Sequence, residues 1–264
     1  MILNLWKTHS QMCFLKYKKE LNYKPSKEVD FSVRGFYEKA FRMPTFSDLY
    51  YTNIGYSNLK PEMAVQYNLG AVYRKSFDHF INAFEIQTDV YYNEVLDKII
   101  AAPNGSMFRW MMMNLGKVKI KGLDAKAKVS WHHEDFTGVL GLNYTYQKAQ
   151  DFSSPKDNFY KHQIPYVPFH SGSFTTQTQY RQWGFNYSVI YVGERYDANQ
   201  NNIQYNYVKP WYTHDFSVSK EWNWQNTSLK TSIEMSNVFN QYYDVVLNYP
   251  MPGRQLKCII SIQL

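Results

Sequence analysis

Cysteine, long apolar runs and concentrated charge are all scarce in this chain, and each scarcity removes a class of protein. Of 264 residues only Cys13 and Cys258 are cysteine. They stand near opposite ends and form neither a metal-binding nor a redox spacing. Cys258 falls on the apolar side of an alternating segment, where a thiol behaves as a small hydrophobe. No unbroken apolar run nears 20 residues and the mean hydropathy is −0.53, which excludes a helical membrane span. A β-barrel survives that test, because lipid-facing and lumen-facing residues alternate and average out to a polar sequence. The net charge of +7 has no single source: only Lys16 to Lys19 approaches a basic run, and no nucleic-acid motif accompanies it. The charge therefore reads as solvated loop and lumen residues, with no nucleic-acid partner. Met1-Ile2-Leu3-Asn4-Leu5-Trp6 is apolar but too short for an export-signal core, and no basic leader or small-residue cleavage site flanks it, so no signal peptide is expected here.

Aromatic residues are abundant, at 24 Tyr, 17 Phe and 7 Trp. Their amphipathic rings suit the interface girdles of a barrel, although an aromatic-rich soluble sandwich would share the composition. Periodicity separates the two. From about residue 29 onward apolar residues recur at every second position. Val65, Tyr67, Leu69, Ala71 and Tyr73 oppose Gln66, Asn68 and Gly70; Leu123, Ala125, Ala127, Val129 and Trp131 oppose Asp124, Lys126, Lys128 and Ser130. Similar faces fall in 84–92, 140–147, 185–191, 229–236 and 257–264, with weaker runs near 29–39, 169–180 and 211–222, about ten strands in all. The connections alternate in length. Short ones lie near 75–78, 132–135, 181–183 and 223–226; long ones near 40–60, 96–113, 151–168, 197–210 and 240–253.

Short turns on one side and long loops on the other is the layout of an outer-membrane barrel, with the long loops outside the cell. A soluble β binding module would show shorter strands and no such alternation. The amphipathic segment Lys257 to Leu264 runs to the last residue. A closed barrel has a use for that, because its last strand pairs with its first and removes the edge. The expectation is an all-β, antiparallel transmembrane barrel over 29–264. Residues 1–28 form an N-terminal remnant, with part of a preceding strand near Phe14–Tyr23.

Several segments carry a more specific signal. Lys39-Ala40-Phe41-Arg42-Met43-Pro44-Thr45-Phe46 is followed by Asp48-Leu49-Tyr50, then by Asn58-Leu59-Lys60-Pro61-Glu62. Asn114-Leu115-Gly116-Lys117 leads to Ile120-Lys121-Gly122-Leu123-Asp124. Ile164-Pro165-Tyr166-Val167-Pro168 follows, and Asn237-Val238-Phe239-Asn240 precedes Tyr249-Pro250-Met251-Pro252-Gly253-Arg254. In order and spacing this set resembles the C-terminal part of the barrel of TonB-dependent outer-membrane receptors. Two positions depart from the family pattern: the chain ends in Leu264 rather than an aromatic, and Ser57 stands where Pro is common.

The resemblance implies about ten strands out of roughly 22, the plug domain and its TonB-binding segment being absent. It implies a place in the outer membrane of a Gram-negative bacterium, and TonB and a plug as partners only in the intact receptor. It also implies energised uptake of a scarce nutrient complex, a ferric siderophore or cobalamin, with no resident cofactor or metal. Haem is disfavoured because no His lies between Phe41 and Glu62. Loop residues Arg42, Tyr50, Tyr51, Phe108, Trp110, Tyr160, His162, Tyr196 and Tyr249 are the candidate ligand contacts, each with interface anchoring as the bland alternative. For Arg42 that alternative is an ion pair with a loop carboxylate. Pro44, Pro61, Pro165, Pro168 and Pro252 suit strand-to-loop boundaries, and Gly253 is expected to supply a backbone shape forbidden to a side chain. Met111, Met112 and Met113 read as packing. The rival reading is a self-contained ten-stranded barrel protease of the omptin type, using Asp151, Asp157, His162, His170 and Asp197. Nothing in their spacing fixes an acid–base pair.

Overall fold

Residues 17–23, 30–103, 110–198, 201, 204–224 and 227–263 of the computed structural model are described here. The chain forms β1 (Tyr17–Tyr23), β2 (Asp30–Arg42), α1 (Phe46–Tyr50), β3 (Glu62–Ser76), β4 (Ile81–Pro103), β5 (Trp110–His133), β6 (Phe136–Asp151), β7 (His170–Tyr180), β8 (Trp183–Val192), β9 (Arg195–Tyr196), β10 (Tyr207–Val208), β11 (Trp211–Trp224), β12 (Thr227–Ser236), β13 (Asp244–Val246), β14 (Tyr249–Pro250) and β15 (Gln255–Gln263). Eleven of these strands make one antiparallel meander in the order β1-β2-β3-β4-β5-β6-β7-β8-β11-β12-β15. The pairs β9–β10 and β13–β14 are small hairpins inside long loops.

The alternating pattern becomes two faces. Register partners share a face, so the row Leu69, Val90, Leu123 and Tyr146 lies on the same side as Leu142, Phe174 and Val189. The same side carries Ile233 opposite Cys258, flanked by Leu256 and Ile260, so Cys258 sits on an apolar strand face as expected. The opposite row runs Arg34, Gly70, Asp89, Asp124 and Thr145. There Arg34 grips Asp89 in a forked pair, Nη2 to both carboxylate oxygens at 2.8 and 2.9 Å, and Gln87 adds a bond of 2.7 Å. Thr145 donates to Asp124 at 2.7 Å. One face is therefore apolar and unpartnered, the other polar and internally bonded. That is the alternation of a lipid-facing exterior and a hydrated lumen.

Glycine is required where side chains cross the inner face. A Cβ on Gly122 would come within 2.2 Å of the Tyr91 ring, and one on Gly70 within 2.3 Å of the Asp89 carboxylate. Both glycines clear the way for the inward groups on β4.

The preceding strand expected near Phe14–Tyr23 is β1, which pairs along β2 from Tyr17↔Lys39 to Tyr23↔Val33 and joins the ten strands read from periodicity to make eleven. One expectation is corrected. The segment 96–113 is not a loop for most of its length: β4 continues to Pro103 and β5 starts at Trp110, paired through Ile99↔Asn114 and Ala102↔Met111. Only 104–109 connects them, and it lies outside the described residues. The short turns fall at the other end, two of them two residues long with a positive φ at Glu134 (50°) and Arg181 (52°).

Eleven strands have a topological consequence. In an antiparallel meander the first and eleventh strands run the same way, so β15 cannot close on β1 in antiparallel fashion. Among the described residues both outer edges of the sheet are unpaired.

Candidate functional site

At the long-loop end the motif segments converge on one another. Thr45 caps α1: its Oγ1 accepts from the Asp48 N–H at 3.1 Å, while the Asp48 carboxylate accepts from the Thr45 N–H at 2.9 Å. Asp48 also accepts from Arg42 at 3.3 Å, and Glu62 accepts from the same guanidinium at 3.5 Å. Glu62 takes the Ile99 N–H at 3.1 Å and faces Lys98 at 3.9 Å. Arg42 is thus engaged in a structural ion pair that closes the β2–β3 loop at its base.

Asn114 makes the second closure. Its side chain receives the Lys60 N–H at 2.8 Å and donates to the Lys60 carbonyl at 3.0 Å and the Asp97 carbonyl at 2.7 Å. Leu59 is buried beside it, whereas Asn58 is exposed and Pro61 half-buried. Asn114→Ala is expected to destabilise this junction by about 1–3 kcal/mol, since three backbone groups lose their partner. Amide exchange at Lys60 is the check: it should rise well above wild type, and an unchanged rate would refute the clamp.

The loops then tie to one another in sequence. Met112 N–H donates to the Ile54 carbonyl at 2.8 Å, and Trp110 packs on Tyr166 at 5.3 Å between ring centroids. Tyr166 N–H donates to the Tyr196 carbonyl at 2.7 Å, and Tyr196 meets Tyr207 edge-on at 6.3 Å. Tyr166 holds φ at +58°, an uncommon backbone for an aromatic residue. Burial pushes its phenol pKa up, and the neighbouring Asp197 acts the same way. Arg195 is 2% exposed and donates to the carbonyls of Lys209 (3.2 Å), Asp244 and Val245 (3.1 Å). Burial pulls its pKa down, while Tyr166 and Asp244 oppose that. Asn237, buried with φ +49°, binds the Gln241 and Pro252 carbonyls at 2.9 and 3.4 Å.

Beneath the rim the β6–β7 loop folds against the inner face. Ile164 packs with Val95, Leu115, Val118, Ile120 and Ala149. Gln163, 1% exposed, accepts the Ala149 N–H at 2.9 Å and donates to the Gln147 and Val167 carbonyls at 3.2 Å each. A fully buried carboxamide with every polar atom engaged fixes a loop without a strand.

The predicted contacts scatter over this wall. Trp110 and Tyr196 lie on the aromatic rim with Tyr166 and Tyr207 between and beside them. Tyr50 and Tyr51 are exposed around the end of α1, and Tyr249 is exposed on β14. Tyr160 packs on Phe152 at 5.2 Å, and Phe152 carries the Lys119 ammonium at 4.7 Å. His162 is engaged through its carbonyl with the Asp151 N–H at 2.9 Å. Phe108 lies outside the described residues. Arg195, Gln163 and Tyr207 were not singled out by sequence; an Arg between Glu194 and Tyr196 gives no sign that it will be buried. Gly116 sits against Ser153, where a Cβ would meet its side chain at 3.1 Å, and Asp124 is on the inner face. Gly253 is corrected: its φ is not in the left-handed region, and what a side chain would meet is the Asn240 carboxamide oxygen at 2.6 Å, which also accepts the Arg254 N–H.

An antiparallel wall that is apolar outside and polar inside, with short turns below and interlocked aromatic loops above, defines a segment of a transmembrane β-barrel. A family described as TonB dependent receptor-like, beta-barrel, matches residues 20–240, and the chain belongs to that family. It is 28% identical over 158 residues to a vitamin B12 transporter, BtuB, of Vibrio vulnificus (strain YJ016), an alignment covering 60% of this chain and 23% of that protein. The chain spans about a quarter of the length of the curated relatives it matches. Its fold is similar to the unliganded ferric citrate transporter FecA (TM-score 0.64, 16% identity, 93% of this chain and 37% of that one). It is similar also to the ferric-catecholate import receptor Fiu from K12 E. coli (TM-score 0.63, 17% identity, 94% and 34%). These relatives and fold neighbours are transporters and receptors, not enzymes. Of the residues named for the protease reading, Asp151 is buried and accepts the Ser153 N–H at 2.8 Å, Asp197 accepts from Asn206 at 3.0 Å, and His170 bonds Tyr144 at 2.8 Å; none of these bonds joins two of the named residues as an acid–base pair.

Proposed function

We propose that this chain is the C-terminal part, 29–264, of an outer-membrane receptor of a Gram-negative bacterium that takes up a scarce nutrient complex, cobalamin or a ferric siderophore, with energy from TonB. The observation that carries it is the interlocked loop rim, in which Trp110, Tyr166, Tyr196 and Tyr207 follow one another across three neighbouring loops above a polar inner face. Aromatic rings with a few fixed polar groups suit a large, flat, partly apolar complex. The relatives named as vitamin B12 transporters favour cobalamin, and the fold neighbours named for ferric citrate and ferric catecholate favour iron complexes. Tyr50, Tyr51 and Tyr249 are further candidate contacts, on the β2–β3 and β12–β15 connections.

The parity of the sheet sets a requirement on whatever completes the barrel. An odd number of further strands allows antiparallel closure, and a second copy in the same orientation would meet both edges in parallel. A preceding segment of the same receptor, with its plug, satisfies this.

Two measurements test the reading. The DNA upstream of the Met1 codon should encode a signal, a plug and the remaining strands; without them, transport by this chain has to be abandoned. The polypeptide encoded by the complete frame, in lipid vesicles, should bind cyanocobalamin or ferric enterobactin, with Trp110→Ala weakening that binding at least tenfold. Equal binding by the variant would remove the rim from the ligand site.

A further inference from the structure

One register row on the outward face runs Tyr37, Tyr67, Tyr92, Lys121, Lys148 across β2 to β6. The three tyrosines pack on one another at 5.1 and 6.2 Å between centroids. The row then changes character abruptly, from rings to two lysines that face each other directly across the strand pair. Like charges in that position repel. Both lysines are exposed, and no carboxylate lies within ion-pair distance of either among the described residues. The carboxylate on this side, Glu94, is already shared by Lys117 at 2.8 Å and Lys119 at 3.6 Å. Among the described residues Lys121 lies over the Tyr92 ring, at 5.7 Å.

The level of this pair relative to the membrane follows from β5. Trp131, at the short-turn end, and Lys121 lie ten residues apart on the same face. At ~3.3 Å per residue and a strand tilt of ~40° they differ in height by about 25 Å, the thickness of the apolar band of such barrels. Between them on this face are only Val129, Ala127, Ala125 and Leu123. Lys121 and Lys148 therefore stand at the far boundary of the hydrocarbon, on the long-loop side. Directly below, Leu69, Val90 and Leu123 floor a groove walled by Tyr67 and Tyr146 and roofed by the lysines and Phe152. Beside Leu69 the facing Gly35 carries no side chain, which leaves the groove open toward β2. An apolar channel ending under two uncompensated ammonium groups matches an acyl chain capped by a phosphate.

We infer that Lys121 and Lys148, supported by Lys119, bind the phosphate of a phosphorylated acyl lipid in the outer leaflet, with an acyl chain seated over Leu69, Val90 and Leu123. The inference rests on the barrel reading and on the long loops facing outward, and does not depend on the nutrient carried. The phosphate supplies the missing counter-charge, and the lysines give the barrel a fixed lipid neighbour at β4 to β6.

The test uses the full polypeptide of the frame in detergent micelles, with purified diphosphoryl lipid A as the probe and native mass spectrometry to count retained lipid. Wild type should retain lipid A and release its dephosphorylated form. Lys121→Gln/Lys148→Gln should lower the apparent affinity about tenfold, while Lys121→Arg/Lys148→Arg keeps it, since arginine preserves the charge. Lys126→Gln, on the inner face, should leave it unchanged and controls for general loss of charge. The proposal is overturned if the double Gln variant retains lipid as wild type does, or if Lys126→Gln loses as much. Inorganic phosphate displacing the lipid at equal concentration would also overturn it, because the groove would then contribute nothing. Loss of nutrient binding with lipid retention intact would strike the receptor reading alone.

Discussion

Arg195→Ala is expected to release two of the long loops at once. The wild-type guanidinium is almost wholly enclosed and satisfies carbonyls from 193–210 and from the β13–β14 hairpin. Truncation leaves those carbonyls without a partner in a site closed to water, and each orphan costs about 1–3 kcal/mol. A total on the order of 3 kcal/mol follows. Arg195→Lys should not rescue it, because one ammonium cannot span carbonyls that a planar fork reaches in several directions. The sheet itself should persist, since its ladders do not pass through Arg195. Limited proteolysis reads this directly: new cleavage should appear in 193–210 and 237–254 while circular dichroism stays β-rich. A wild-type cleavage pattern would show that Arg195 does not hold these loops.

The second large effect separates the two faces. Leu142 lies mid-strand on β6, 48% exposed, opposite Ala127 and Phe174 on the outward side. Leu142→Arg should cost ~2–4 kcal/mol, the range for a cation at the midplane of a barrel's lipid face. The adjacent Asn143 faces inward and bonds Ser173 at 3.1 Å. Asn143→Arg should cost about 1 kcal/mol or less, the value of one neutral hydrogen bond. Denaturant unfolding from phosphatidylcholine vesicles gives both numbers. Equal costs, or a reversed order, would mean that the faces are assigned the wrong way round.

What was legible in the chain was whatever repeats at a fixed spacing. Strands read from period 2 fell on β2 to β8, β11, β12 and β15 because a strand has a single choice, which face is apolar, and the sequence writes it at every other residue. The alternation of turns and loops was legible for the same reason. One feature was harder: 96–113 carries no steady alternation, yet the ladder continues through it past Asp97, whose φ is +51°.

The site was legible only in part. The motifs around Arg42, Asn58–Glu62 and Asn114 announced that something was fixed there, and the bland reading of Arg42 as an ion pair with a loop carboxylate was the right kind of role. That Asn114 holds Lys60, 54 residues away, could not be read from either segment alone. Gly253 looked like a backbone requirement and proved to be a close approach by Asn240.

The sequence by itself thus determined the strands, their faces, the direction of the loops and the family, since each depends on local pattern and on the medium around the chain. The tertiary structure alone determined which loops touch, that Arg195 and Gln163 are buried, and that Lys121 opposes Lys148. Those are facts of register and loop docking, set by contacts between residues far apart in the chain, and no local pattern encodes them.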